Sequence, residues 1–167
     1  MTAYSHYKRP VIIGIGQSVH RSVDPAKIKN PMELIEMAVR EAEADSHIKA
    51  LTQKVDTLCL VNILTRQYDN PLSELSGRIN IKPKHQSYTW VGASAPQWFV
   101  NQTAEQIISG KARIGLICGG EAFHSKKVDA KTKGSAFKQW DFPLKKRANS
   151  HRTRCSPGQM DLSSGLR

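Results

Sequence analysis

The chain has 167 residues, with 25 lysines and arginines against 14 aspartates and glutamates, for a net charge of +11. With 39% of its residues apolar it can bury a core, which excludes a wholly disordered chain, and its length suits one ordinary domain rather than two. No apolar run approaches the roughly 20 residues of a membrane helix, and the run 11–15 is too short for a secretory signal and is broken by Gly14, so a cytoplasmic chain with no membrane partner is expected.

The elements follow in chain order. Residues 10–17 (PVIIGIGQ) form a nearly continuous β-branched run closed by glycine, which predicts a buried first strand. Asn30-Pro31 then predicts a helix start: Asn30 caps, Pro31 suits the first helical position, and Glu33 stands where a capping box needs it. Ile35, Ala38, Val39 and Ala42 are its expected apolar stripe. Residues 55–64 (VDTLCLVNIL) predict a second buried strand, and Asn70-Pro71 repeats the capping device for a short helix to about Asn80. Residues 85–91 predict a third strand. A third helix is expected over 94–110, with Val100, Thr103, Ala104, Ile107 and Ile108 as its stripe, and a fourth strand over 113–118 (RIGLIC). The order β-α-β-α-β-α-β, with strands apolar on both faces, predicts an α/β fold: a parallel sheet with helices on both faces and right-handed crossovers, in strand order 3-2-1-4. The fourth strand is apolar like an interior strand, yet only polar sequence follows it, so the sheet reads as incomplete.

Charge divides the chain. Residues 1–123 carry 14 basic and 11 acidic side chains, whereas 124–167 carry 11 basic and 3 acidic ones. Only six of those last 44 residues are Leu, Ile, Val or Phe, below the share that supports a core. A folded domain over 1–123 and a basic, weakly ordered loop or tail over 124–167 are expected, the latter binding polyanions weakly through Lys145, Lys146, Arg147, Arg152 and Arg154. Phe137, Trp140 and Phe142 are candidate anchors for an ordered start to that segment.

Motifs of common chemistries are missing. Cys59, Cys118 and Cys155 form no CxxC pair, and the six histidines show no metal-ligand spacing, so no metal site is expected. The sequence Gly14-Ile15-Gly16 lacks both the third glycine of a dinucleotide fingerprint and a helix directly behind it. Neither a phosphate-binding P-loop nor a GxSxG nucleophile turn occurs. Glu121 and His124 follow the fourth strand, at the carboxyl edge where open α/β sheets bind ligands, and read as loop residues rather than an acid–base pair. Trp90 and Trp98 read as packing rather than stacking platforms.

Three stretches together carry a family resemblance: VIIGIGQS at 11–18, VDTLCLVN at 55–62, and VGASAPQWFVNQTAEQIISGKARIGLICGGEA at 91–122. They resemble the N-terminal half of thiolase-superfamily proteins, nearest the acetyl-CoA acetyltransferase-like and sterol-carrier-type group, over roughly residues 10–123. The resemblance implies acyl transfer between a cysteine and coenzyme A in acyl-CoA and lipid metabolism. That chemistry needs a thiolate at a helix N-terminus, an oxyanion hole, and acid–base groups from a C-terminal half. Here the nucleophile position falls on Ala93 or Ser94, neither a cysteine, and Gly92-Ala93-Ser94-Ala95-Pro96-Gln97 resembles the version of the turn that lacks it. No catalytic residue is therefore assigned. Ser94 reads as a helix cap, and Cys118 lies inside the fourth strand, away from that turn. The resemblance implies no covalently bound cofactor, a coenzyme A thioester as substrate, and an acyltransferase fragment inactive alone. The alternative is a non-enzymatic module that binds acyl-CoA or a partner, with its basic tail engaging phosphate. A homo-oligomer or a complementing C-terminal half is the expected partner.

Overall fold

The computed structural model describes residues 9–134. Its elements are α1 (Pro31–Asp45), a short 3-10 turn (Thr52–Lys54), β1 (Thr57–Leu60), α2 (Pro71–Arg78), β2 (His85–Tyr88), α3 (Ala95–Ile108), β3 (Gly115–Cys118) and α4 (Phe123–Thr132). The three strands form a parallel sheet in the order β2-β1-β3. Thr57 stands opposite His85 on one side and Gly115 on the other.

All four residues of β1 are buried. The pleat sends Leu58 and Leu60 to one face, where they meet Met32, Ile35 and Val39 of α1 and Leu75 and Ile79 around α2. Thr57 and Cys59 face the opposite side, where Gln106 and Thr103 of α3 lie against them at 3.4 and 3.8 Å. Helices therefore cover both faces, as right-handed βαβ crossovers to opposite sides of a central strand require.

The caps act as the sequence predicts. The Asn30 side chain accepts from Glu33 N, and the Glu33 carboxylate accepts from Asn30 N at 2.7 Å. Asn70 does the same for α2 through Ser73 N. Arg78 joins the two helices by reaching Glu36 on α1 as well as Glu74 on its own helix.

Two expectations are corrected. Residues 10–17 are not a buried strand: Val11, Ile12 and Ile15 are 72%, 80% and 69% exposed, and no strand pairs with the segment among the described residues. It lies extended along α1 instead. Ile15 N donates to the Asp45 carboxylate and Gln17 N to Glu41, while a Cβ on Gly14 or Gly16 would collide with the Ala42 or Ala38 carbonyl oxygen. Its backbone is thus held by a helix rather than a ladder, and β1 pairs directly with β3 where the sequence predicts the first strand between them. The α3 stripe is also rotated. Ala95, Phe99 and Thr103 are buried, whereas Val100 and Ile108 are 45% and 53% exposed. Phe99, among the largest fully buried side chains, turns the helix toward the sheet. At the start of the basic segment, where the sequence left an ordered beginning open, α4 is a helix. Its one Leu/Ile/Val/Phe side chain after Phe123 is Val128, so no apolar stripe announces it. Helix-forming lysines and alanine, with a Lys133–Asp129 pair at 2.9 Å, support it locally. Phe137, Trp140, Phe142 and the basic cluster 145–154 lie outside the described residues.

Helix α3 sits close on the sheet at Gly115, where a Cβ would collide with Thr103 Cγ2. Thr103 is β-branched and buried, and so has little rotamer freedom to yield. Gly115→Ala is expected to lower unfolding stability by about 1–3 kcal/mol, and adding Thr103→Ser is expected to recover part of that loss. Urea denaturation of the two single variants and the double variant measures both effects.

Candidate functional site

The carboxyl ends of β1 and β3 open into a cleft of about 380 Å³. Val61 and Asn62 line it from the loop after β1, Ile117 and Cys118 from β3, Glu121 from the turn beyond, and Pro96 from the first turn of α3. This is where open parallel sheets receive ligands, because the chain leaves each strand there and loops diverge around a crevice.

The loop after β1 is held from both sides. From the β2 side, Thr89 Oγ1 accepts from Asn62 N at 2.9 Å, Asn62 Nδ2 donates to Thr89 O, and the Tyr88 hydroxyl accepts from Ile63 N at 3.0 Å. From the β3 side, Glu121 accepts from Leu64 N at 2.7 Å, Thr65 N at 2.9 Å and the Thr65 hydroxyl at 2.7 Å. Thr65 Oγ1 in turn accepts from Ala122 N. Charge-assisted bonds to backbone N–H groups are the stronger kind of hydrogen bond, so the cleft has a fixed wall.

Glu121 and His124 are not brought together as a pair. Glu121 is occupied by the loop, and His124 Nε2 lies 3.0 Å from the Ser22 carbonyl oxygen. Glu121 sits in the turn after β3, as expected of a loop residue, whereas His124 falls in the first turn of α4. The sequence does not disclose that Glu121 closes a bridge to residues 64 and 65. An acidic residue beyond a Gly-Gly turn, opposite a threonine just past the neighbouring strand, is the signal that was there to read.

Ala93 and Ser94 sit at the N-terminus of α3, both exposed. Ser94 occupies the cap position, but its side chain makes no capping hydrogen bond, since its backbone is already α-helical at φ −83° and ψ −7°. The cap role expected for its hydroxyl is thus not realised. Beside it, the Trp90 and Trp98 rings pack with centroids 5.5 Å apart, Trp98 leans on Phe99 at 5.4 Å, and Trp90 stays 47% exposed.

Cys118 contributes no nucleophile. The residue is half-buried, but its thiol lies among the core side chains, where burial first and the neighbouring Cys59 thiol second push it up to about 12. The sulfur donates to the Cys59 carbonyl oxygen at 3.7 Å. Among the described residues no group of three or more His, Cys, Asp or Glu side chains could hold a metal ion. No helix among them is long and apolar enough to cross a membrane.

The fold is thiolase-like. No protein-family model matches the chain, and no curated protein matches it in sequence. Among solved structures, it is similar to a monomeric SCP2-thiolase-like protein, type 1, from Mycobacterium smegmatis, with a TM-score of 0.57 and 23% identity over 68% of this chain and 23% of that one. It is also similar to a variant of OleA from Xanthomonas campestris, determined with bound lauric acid and lauroyl-CoA, with a TM-score of 0.50 and 19% identity over 66% of this chain. The chain spans 23% and 34% of the lengths of these two structures.

Two measurements test this arrangement. Glu121→Ala is expected to cost about 2 kcal/mol, since it orphans two backbone N–H groups, and to speed hydrogen exchange at Leu64 and Thr65 more than in β1. The Cys118 thiol stays protonated in the folded chain up to about pH 12, against 9.0 for an unperturbed thiol. Its contribution to stability is complete below about pH 9 and is lost as pH rises toward 12, because the unfolded thiol ionises first. Cys118→Ala is expected to flatten the fall of the urea midpoint between those two pH values.

Proposed function

We propose that this chain is an acyl-thioester-binding unit built on the N-terminal half of a thiolase-type acyltransferase, and that by itself it binds coenzyme A thioesters without turning them over. The observation that supports this is the cleft at the carboxyl ends of β1 and β3. Val61, Ile117 and Pro96 offer apolar wall to an acyl chain, while Glu121 and His124 are engaged in holding loops. A covalent acyl intermediate needs an activated nucleophile beside a base. Ala93 has none to offer, the Ser94 hydroxyl has no base bonded to it among the described residues, and the Cys118 thiol is held protonated. The role in acyl-CoA metabolism is carried by the thiolase-like fold, and the lauroyl-CoA bound to the OleA variant makes a long acyl chain the first probe.

The test is calorimetric titration of the full chain with acetyl-CoA, acetoacetyl-CoA and lauroyl-CoA, alongside intact-mass and thiol-release measurements. Saturable binding that strengthens with acyl length is expected, with no mass increase and no release of coenzyme A. Pro96→Asp suits the first turn of a helix but sets a carboxylate at the cleft, so it is expected to weaken binding by about tenfold. A stable adduct on Ser94 would show an enzyme instead. Thioester binding equal in wild type and Pro96→Asp would remove the cleft from the proposal.

A further inference from the structure

A second receptive surface lies on the other side of β3. The ladder bonds to β1 use the groups of alternate residues: the Ile114 carbonyl accepts from Asp56 N and Thr57 N, and the Cys118 carbonyl from Val61 N. By the same alternation, Gly115 and Ile117 turn their N–H and C=O groups to the far edge, where no strand stands among the described residues. Across from that edge runs the extended segment 10–17. Ile15 N and Gln17 N are held by carboxylates of α1, and no backbone hydrogen bond joins this segment to β3. Close to both, on the α1 side of the sheet, lies a cavity of about 70 Å³ that Ile13, Gly14, Gly115 and Leu116 line together with Glu43 of α1 and, ahead of β1, Val55.

The two edges of the sheet are built differently. β2 reads HQSY, and its His85 and Gln86 are exposed, as befits a strand that ends a sheet. β3 reads GLIC, with all four residues half-buried, and it faces an apolar extended segment whose Val11, Ile12 and Ile15 are more than two-thirds exposed. Polar side chains guard one edge and are missing from the other.

We propose that the space between residues 10–17 and β3 is an acceptor slot for one extended strand of another polypeptide. The edge groups of Gly115 and Ile117 require an extended backbone, and strand addition supplies its affinity through main-chain hydrogen bonds. The cavity takes one aliphatic side chain, and Val39 and Ala42, which also line it, call for apolar residues on the inward face. The last two turns of α1 carry Glu41, Glu43 and Asp45 with no basic residue in the final turn, so positively charged flanks suit the occupant.

The probe is a fluorescein-labelled heptapeptide of alternating valine and threonine with a lysine at each end, titrated into the full chain, with amide hydrogen exchange read residue by residue. Saturable binding is expected, with slowed exchange at Gly115 and Ile117 and little change in β2. A twin peptide N-methylated at alternate amides is expected to bind at least about tenfold more weakly. Ile117→Pro removes an edge-facing donor, at a position where sheets tolerate proline, together with a side chain that lines the thioester cleft; it is expected to weaken the unmodified peptide similarly, whereas Ile117→Ala, which keeps the donor, is expected to leave peptide binding unchanged. Pro96→Asp, in the thioester cleft, is expected to leave peptide binding unchanged. Equal binding of both peptides, slowed exchange at Gln86 and Tyr88 instead, or no saturation by about 1 mM would overturn the proposal. So would slow exchange at Gly115 and Ile117 in the chain alone: loss of it on dilution would mean that a second copy fills the slot, and loss of it on deleting residues 135–167 would mean that the chain's own segment does.

Discussion

The fold depends on the burial of β1 on both faces and along both edges. A strand so placed must present apolar or internally bonded side chains to helices on each side and give every backbone group a partner strand. TLCL meets this with Leu58 and Leu60 against α1 and α2, and Thr57 and Cys59 against α3. The remaining elements follow as cover. Each buried leucine contributes about 1.5–3 kcal/mol of transfer free energy, so α1 and α2 need no large propensity of their own beyond well-made caps. The close seat of α3 is set by what Gly115 leaves out.

The same constraint decides the chemistry at the end of the sheet. Strands that finish together leave loops with unpaired N–H groups, and something negative must accept them. Glu121 takes three hydrogen bonds from residues 64 and 65, which makes it the structural acceptor of that loop. His124 is turned to the Ser22 carbonyl. Cys118, the one cysteine lining the cleft, has its sulfur on the core side, where an anion is costly. What the cleft offers besides these held groups is apolar wall from Val61, Ile117 and Pro96.

Much of this was legible in the sequence. Both Asn-Pro caps announce their helices because the cap, the proline and the following acceptor are local devices. The strands at 57–60 and 115–118 stand out as unbroken apolar runs, and their alternation with helices fixes the parallel sheet. The thiolase-like architecture comes instead from the resemblance of the stretches at 11–18, 55–62 and 91–122, and solved structures bear out that fold. What was not legible depends on distance. Residues 10–17 have the composition of a strand, but a strand exists only with a neighbour, and composition cannot name one. The α3 stripe was read from hydrophobicity alone, which prefers Val100 and Ile108; Thr103 is buried as expected, but the helix settles beside it on Phe99 and Ala95. At Ser94 the sequence predicts a capping hydroxyl, but a cap side chain bonds only when its own backbone is extended, and here it is helical.

The acidic end of α1 shows how these local facts join. Glu41, Glu43 and Asp45 sit where the helix dipole disfavours negative charge, an apparent error on the sequence alone. In the fold each carboxylate is a backbone acceptor: Asp45 for Ile15 N, Glu41 for Gln17 N, and Glu43 for Thr52 N and its hydroxyl. The unfavourable dipole interaction, about 0.3–1 kcal/mol at an exposed helix end, is smaller than the two or more charge-assisted bonds that replace it, each about 1.5–3 kcal/mol. These carboxylates hold an apolar segment along the helix without giving it a ladder, beside an edge of β3 that no strand covers among the described residues.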